Sequence, residues 1–169
     1  MQGGVDMNPI SQALREFLKD EEIEIFDNTQ YQFSSLEDDE EIIVVLNYFG
    51  DENLYIYIQT GEGQAVLAFG QWRKTYDDSY EDIELLKDDI AQIMTNNSYV
   101  WTIIDSRNCI VGYVDHHGVQ YLESTNELGW AYRSSNEFLK TIAADEGSQN
   151  FLFWDPALNN AVQPSQFLI

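Results

Sequence analysis

Apolar positions recur along this chain in two rhythms, and the switches between them mark out its elements. Ile10, Ala13, Leu14, Phe17 and Leu18 fall at the i, i+3, i+4, i+7, i+8 spacing of one helical face. Asn8 stands before them as N-cap and Pro9 in the first turn, which predicts a helix over 9–20. Residues 22–26 then alternate, with Ile23 and Ile25 to one side and Glu22 and Glu24 to the other, as in a strand half open to water. Three β-rich runs follow, IIVVLNYF, LYIYIQT and QAVLAFG, separated by the turns GDEN and GEG, and they predict a three-strand antiparallel meander. Ser79 and Asp82, in capping-box spacing, precede the stripe Ile83, Leu86, Ile90, Ile93 and Met94, which predicts a second helix over 79–95.

The order then returns. YVWTII, CIVGYV and VQYLES, joined by DSRN and DHHG, predict a second meander. Ser134 with Glu137 caps a helix carrying Phe138, Leu139 and Ile142 that stops near Gly147, and NFLFW from Asn150 adds a last strand. Trp72 and Trp130 sit in less regular segments. The expected class is α+β: an N-terminal helix followed by two β-β-β-α units, an antiparallel sheet with helices packed on one face. Residues 1–8 are expected to lie outside the fold, 9–155 to form a single α+β domain, and 156–169 to form a C-terminal tail.

Composition narrows the function classes. With 169 residues, 44% of them apolar and 14% aromatic, the chain can bury a core without disulfide or metal staples. Its 30 acidic residues against 8 basic ones leave a net charge of -22, and no basic residue occurs between Lys19 and Arg73. That field repels phosphate, so neither a nucleic acid nor an anionic membrane is an expected partner, whereas a basic protein is. Cys109 is the single cysteine, which excludes an intrachain disulfide and points to a reducing, cytoplasmic setting. No signal-peptide pattern and no run of eighteen apolar residues is visible.

Catalytic signatures are missing. Carboxylates are so numerous that a chance pair at glycosidase spacing carries no information. His116 and His117 are neighbours in the turn DHHG and would need Asp115 or Cys109 to complete a metal site, so they read as an exposed turn. There is no G-x-S-x-G, no phosphate loop and no EF-hand loop. No catalytic residue, metal or cofactor is therefore expected, although a carboxylate-only active site leaves no signature.

Two surfaces remain. In LYIYIQ, Leu54, Ile56 and Ile58 share one strand face and Tyr55, Tyr57 and Gln59 the other, while Tyr99, Trp101 and Ile103 share a face in the second meander. Tyr55, Tyr57, Tyr99 and Trp101 are candidate contacts for another protein if that sheet face is uncovered, and core residues if the helices cover it. The second surface is the acidic run Glu37, Asp38, Asp39, Glu40 and Glu41 with Asp51 and Glu52. It would steer a basic partner, or merely protect the strand that follows from edge-to-edge pairing.

The order of elements from LREFLKDEEIEIFDN through an acidic stretch, a meander, a helix, further strands and a last helix resembles the YbjN-like proteins over roughly residues 9–145. Their fold is similar to that of type III secretion chaperones. The resemblance implies a small acidic non-enzymatic protein, commonly a homodimer, whose sheet surface binds a segment of another protein. The leading expectation is thus a cytoplasmic protein-binding or chaperone-like regulator. The alternative is an acidic inhibitor, such as an immunity protein or nucleic-acid mimic, that neutralises a basic protein.

Overall fold

Asn8 starts the first helix as its side chain predicts. Its Oδ1 accepts the Ser11 N–H at 2.8 Å, which satisfies one of the free donors at the N-terminus of α1, Pro9–Phe17. The helix ends earlier than its apolar stripe suggests, and residues 18–20 form a turn. Asp20, Glu21 and Glu22 would have crowded negative charge onto the negative end of the helix dipole. Ile10, Leu14 and Leu18 are buried.

The computed structural model describes residues 8–27, 36, 39–104, 109–115, 118–126, 129–132 and 148–159. The chain divides into two compact units, Met1–Ala91 and Gln92–Ile169. In the first, α1 is followed by β1, Ile23–Asp27, β2, Glu41–Leu46, β3, Tyr55–Gly61, β4, Gln64–Phe69, and β5, Trp72–Asp77, which pair in sequence order as one antiparallel five-stranded sheet. The helix α2, Tyr80–Met94, comes next. In the second unit β6, Tyr99–Ile104, β7, Cys109–Asp115, β8, Gly118–Asn126, β9, Gly129–Tyr132, and β10, Ser148–Leu152, form an antiparallel sheet in the order β10-β6-β7-β8-β9. Antiparallel sheet with helices makes the class α+β.

Both meanders are longer than the three-strand units the sequence pattern suggests. Trp72–Asp77 is a strand because Trp72, Lys74 and Tyr76 all face inward, and the charge of Lys74 hides that alternation. Trp130 lies in β9. The helix expected after Ser134 and the chain beyond Asn159 lie outside the described residues; Pro156–Leu158 forms a short 3-10 turn.

Strand parity separates two faces of the first sheet. The inner face carries Glu41, Ile43 and Val45, then Ile56, Ile58 and Thr60, then Ala65, Leu67 and Phe69, then Trp72, Lys74 and Tyr76, in register across β2 to β5. Hydrogen bonds attach both helices to this face. Ser11 Oγ and Thr60 Oγ1 lie 2.5 Å apart, and Asn8 Nδ2 donates to Asp39 O at 2.9 Å and to Thr60 Oγ1 at 3.2 Å. Arg15 grips Glu41 with two guanidinium nitrogens, Nε to Oε1 at 3.1 Å and Nη2 to Oε2. From α2, Asp89 Oδ2 accepts Tyr76 Oη at 2.5 Å and Lys74 Nζ at 3.3 Å.

Candidate functional site

The outer face of the same sheet is built from the opposite parity. One row crosses all five strands as Glu24, Val44, Tyr57, Ala68 and Arg73, and the next as Phe26, Ile42, Gln59, Val66 and Thr75. Leu46 and Tyr55 pair in a third row. Ile42 is buried, Phe26, Val44, Leu46, Tyr57, Val66 and Ala68 are half-buried, and Tyr55 is 46% exposed. The middle of this face is therefore apolar and aromatic, while its two edges carry Glu24 and Arg73, both exposed.

Along β3 the polar groups are wired together. Tyr57 Oη donates to Gln59 Oε1 at 3.2 Å, and Gln59 Nε2 donates to Glu40 Oε2 at 3.0 Å. Partial burial pushes the Tyr57 phenol above its ordinary value, Tyr55 beside it adds to the effect, and the Arg73 guanidinium opposes both. At neutral pH Tyr57 is thus a neutral donor with a fixed orientation. Beside it, Glu40, Gln59, Gly61, Glu62, Gln64 and Val66 line a depression of about 220 Å³. Arg15, Lys19, Lys74 and Lys87 each hold a carboxylate, whereas among the described residues Arg73 has no ion pair.

No family model, curated protein or solved structure matches this chain.

The acidic run is divided among three local duties. Glu37 and Asp38 lie outside the described residues. Asp39 Oδ2 accepts the N–H of Glu62 at 2.9 Å, steadying a two-residue hairpin loop in which Glu62 and Gly63 take φ of 55° and 73°. Both values belong to a type I′ turn, which a glutamate enters less readily than a glycine. Glu40 points outward to Gln59, and Glu41 inward to Arg15. Farther along, Asp51 Oδ1 accepts the Asn53 N–H at 3.0 Å within the β2–β3 turn, and Glu52 is exposed.

The four aromatic candidates separate in the same way. Tyr55 and Tyr57 lie on the outer face, as the alternation of LYIYIQ predicts. Trp101, in the second unit, is fully buried and stacked on Phe151 at 5.6 Å, so it serves that unit's core. Tyr99 is half-buried and stacked on Phe153 at 4.5 Å, and burial raises its phenol pKa. The structure therefore brings Tyr55 and Tyr57 together with residues that no local pattern assigns to them: Val44, Ala68 and Arg73 join them only through strand pairing. Among the described residues no group of three His, Cys, Asp or Glu could hold a metal. His116 and His117 lie outside those residues, and Cys109 opens β7.

Proposed function

We propose that this chain is a non-enzymatic, chaperone-like protein-binding module of the cytoplasm, and that the outer face of its first sheet docks a segment of another protein. The observation that carries this reading is a sheet face with an apolar centre opposite the face to which both helices are bonded. It is lined by Tyr55 and Tyr57, a residue type enriched at interfaces because it offers a large apolar body with one polar tip. The Gln59 and Glu40 relay holds Tyr57 in place, so less rotamer freedom is left to lose on binding.

The acidic-inhibitor reading needs a free cluster of carboxylates. Asp39, Glu40 and Glu41 each have a partner within the chain, which weighs against it. No helix among the described residues is long and apolar enough to cross a membrane.

The test is a pull-down from nuclease-treated lysate, eluted first with salt and then with denaturant, using the wild-type chain beside Tyr55→Ala/Tyr57→Ala. A protein retained by the wild type through high salt and lost by the double variant is the expected result. Equal retention by both chains would remove the outer face from the account, and release at moderate salt would return the carboxylates to it.

A further inference from the structure

Two aromatic rings stand in water at the tip of the β2–β3 turn. Tyr48 is 83% exposed and Phe49 46%, and they meet edge to face, with ring centroids 5.4 Å apart and planes at 89°. Together they leave roughly 250 Å² uncovered, ring faces included. The turn that carries them is held in advance of any contact. Asn47 Oδ1 accepts the N–H of Phe49 at 3.0 Å and that of Asp51 at 3.3 Å, and Asn47 O accepts the Gly50 N–H at 3.2 Å. Gly50 takes a φ of 82°, which a glycine adopts without strain. Asp51 O then accepts the N–H of buried Leu54 at 3.2 Å. Rings presented on a fixed backbone lose little freedom on binding.

Carboxylates stand beside this turn. Glu52 lies within it and is exposed. Glu22, also exposed, is joined to the strand that leads into it, its backbone oxygen accepting the Leu46 N–H at 2.9 Å. Neither carboxylate has an ion pair among the described residues, and no basic residue occurs between Lys19 and Arg73.

This combination narrows the ligand. An apolar pocket would strip water from Glu22 and Glu52 and leave their charges unpaired. A bilayer surface would do likewise, and an anionic one would repel a chain of charge -22. An ammonium is strongly hydrated and meets carboxylates as a point charge, with little use for the rings. A guanidinium is weakly hydrated, stacks flat on an aromatic face and gives its N–H donors to a carboxylate, so it uses both parts of the tip at once. We infer that the β2–β3 tip, Tyr48 and Phe49 with Glu22 and Glu52, binds an arginine-bearing segment of a basic protein. The inference goes beyond the docking reading of the outer face and uses neither Tyr55 nor Tyr57.

Titration of the isotope-labelled full chain with tetra-arginine amide and with tetra-lysine amide tests this, in roughly 0.15 M salt where charges are screened beyond about 8 Å. Tetra-arginine should shift the amide resonances of residues 47–53 and bind about three- to fivefold tighter than tetra-lysine, the ratio that one exposed cation–π contact supplies. Tyr48→Leu should abolish that preference and leave the affinity for tetra-lysine unchanged, while Glu52→Gln should weaken both peptides about twofold. Both positions are exposed, so the variants should keep the wild-type circular dichroism and melting temperature. Equal affinity for the two peptides overturns the assignment, as does an arginine preference that survives Tyr48→Leu. Sedimentation of the chain with phosphatidylcholine vesicles that is lost in Tyr48→Leu would also overturn it, by making the tip a membrane contact. Capture of a protein by the outer face is read separately, from Tyr55→Ala/Tyr57→Ala, and neither result decides the other.

Discussion

Replacing Tyr76 by Phe isolates a single contact between α2 and the sheet. The ring of Tyr76 is 1% exposed and stays in place in the variant, so packing changes little. What disappears is the hydrogen bond from Oη to Asp89 Oδ2, 2.5 Å long and made to a carboxylate that is itself 7% exposed. Lys74 keeps its 3.3 Å contact with the same oxygen and remains 5.0 Å from the ring centroid, so the charge is not orphaned. A hydrogen bond to a charged group contributes about 1.5–3 kcal/mol, and retention of Lys74 places the loss near the middle, at about 2 kcal/mol. In a chain of this length that corresponds to a melting temperature about 4–8 °C lower. Urea unfolding followed by circular dichroism should show a lower midpoint at unchanged m. Asp89→Asn, alone and combined with Tyr76→Phe, completes the cycle that separates this pair from its surroundings. A midpoint equivalent to less than about 0.5 kcal/mol of destabilisation would refute the assignment, because a neutral phenol in water would then serve the native state as well as this bond does.

Other positions yield sharper local tests. Asn8→Ala removes an N-cap together with the links to Asp39 and Thr60, so unfolding experiments should record a loss of about 2 kcal/mol, the upper end for a cap. Ser98 is fully buried and its hydroxyl has no partner among the described residues; Ser98→Ala should stabilise the chain by about 1 kcal/mol, read from the same urea curves. The carboxyl of Asp77 is held below its ordinary value chiefly by the Ser79 side chain, then by the Ser79 backbone N–H at 2.8 Å. Its stabilising contribution is therefore complete above that ordinary value, near 3.8, and is lost as pH falls through the lower folded one. Urea midpoints taken between pH 5 and 2.5 should fall less steeply for Asp77→Asn than for the wild type; parallel curves would show that the group does not contribute.

Much of the first unit is legible from spacing because its elements obey one period each. Ile10, Leu14 and Leu18 of the first stripe and the alternation of LYIYIQT translate into burial, and Ser79 caps α2, whereas Phe17 of the same stripe is 39% exposed. β5 is illegible for a specific reason. Its middle inward position is Lys74, whose charge is acceptable there only because Asp89 arrives from α2, fifteen residues later. Glu41 poses the same problem at the start of β2, where an acid is buried beneath Arg15 of α1. Both are nonlocal compensations, which a window sliding along the chain cannot register. The outer-face site was half visible on the same grounds: Tyr55 and Tyr57 share a strand and declare their side, whereas Arg73 reaches them only across two strand pairings.

The pairing of half-buried Arg15 with buried Glu41 has a consequence for the choice between competing folds. In IIVVL, residues 42–46, both parities are aliphatic, so a slip of β2 by one residue along β3 that puts Val44 and Leu46 in the places of Ile43 and Val45, and Ile42 in that of Glu41, carries almost no hydrophobic penalty. Glu41 breaks that degeneracy, because in the slipped pairing it turns outward and leaves an aliphatic side chain facing the guanidinium. An Arg15→Met/Glu41→Leu chain would keep its cohesion and lose its tie-breaker, and doubled amide resonances from β2 would reveal it. The acid at the head of the strand acts less as glue than as an address.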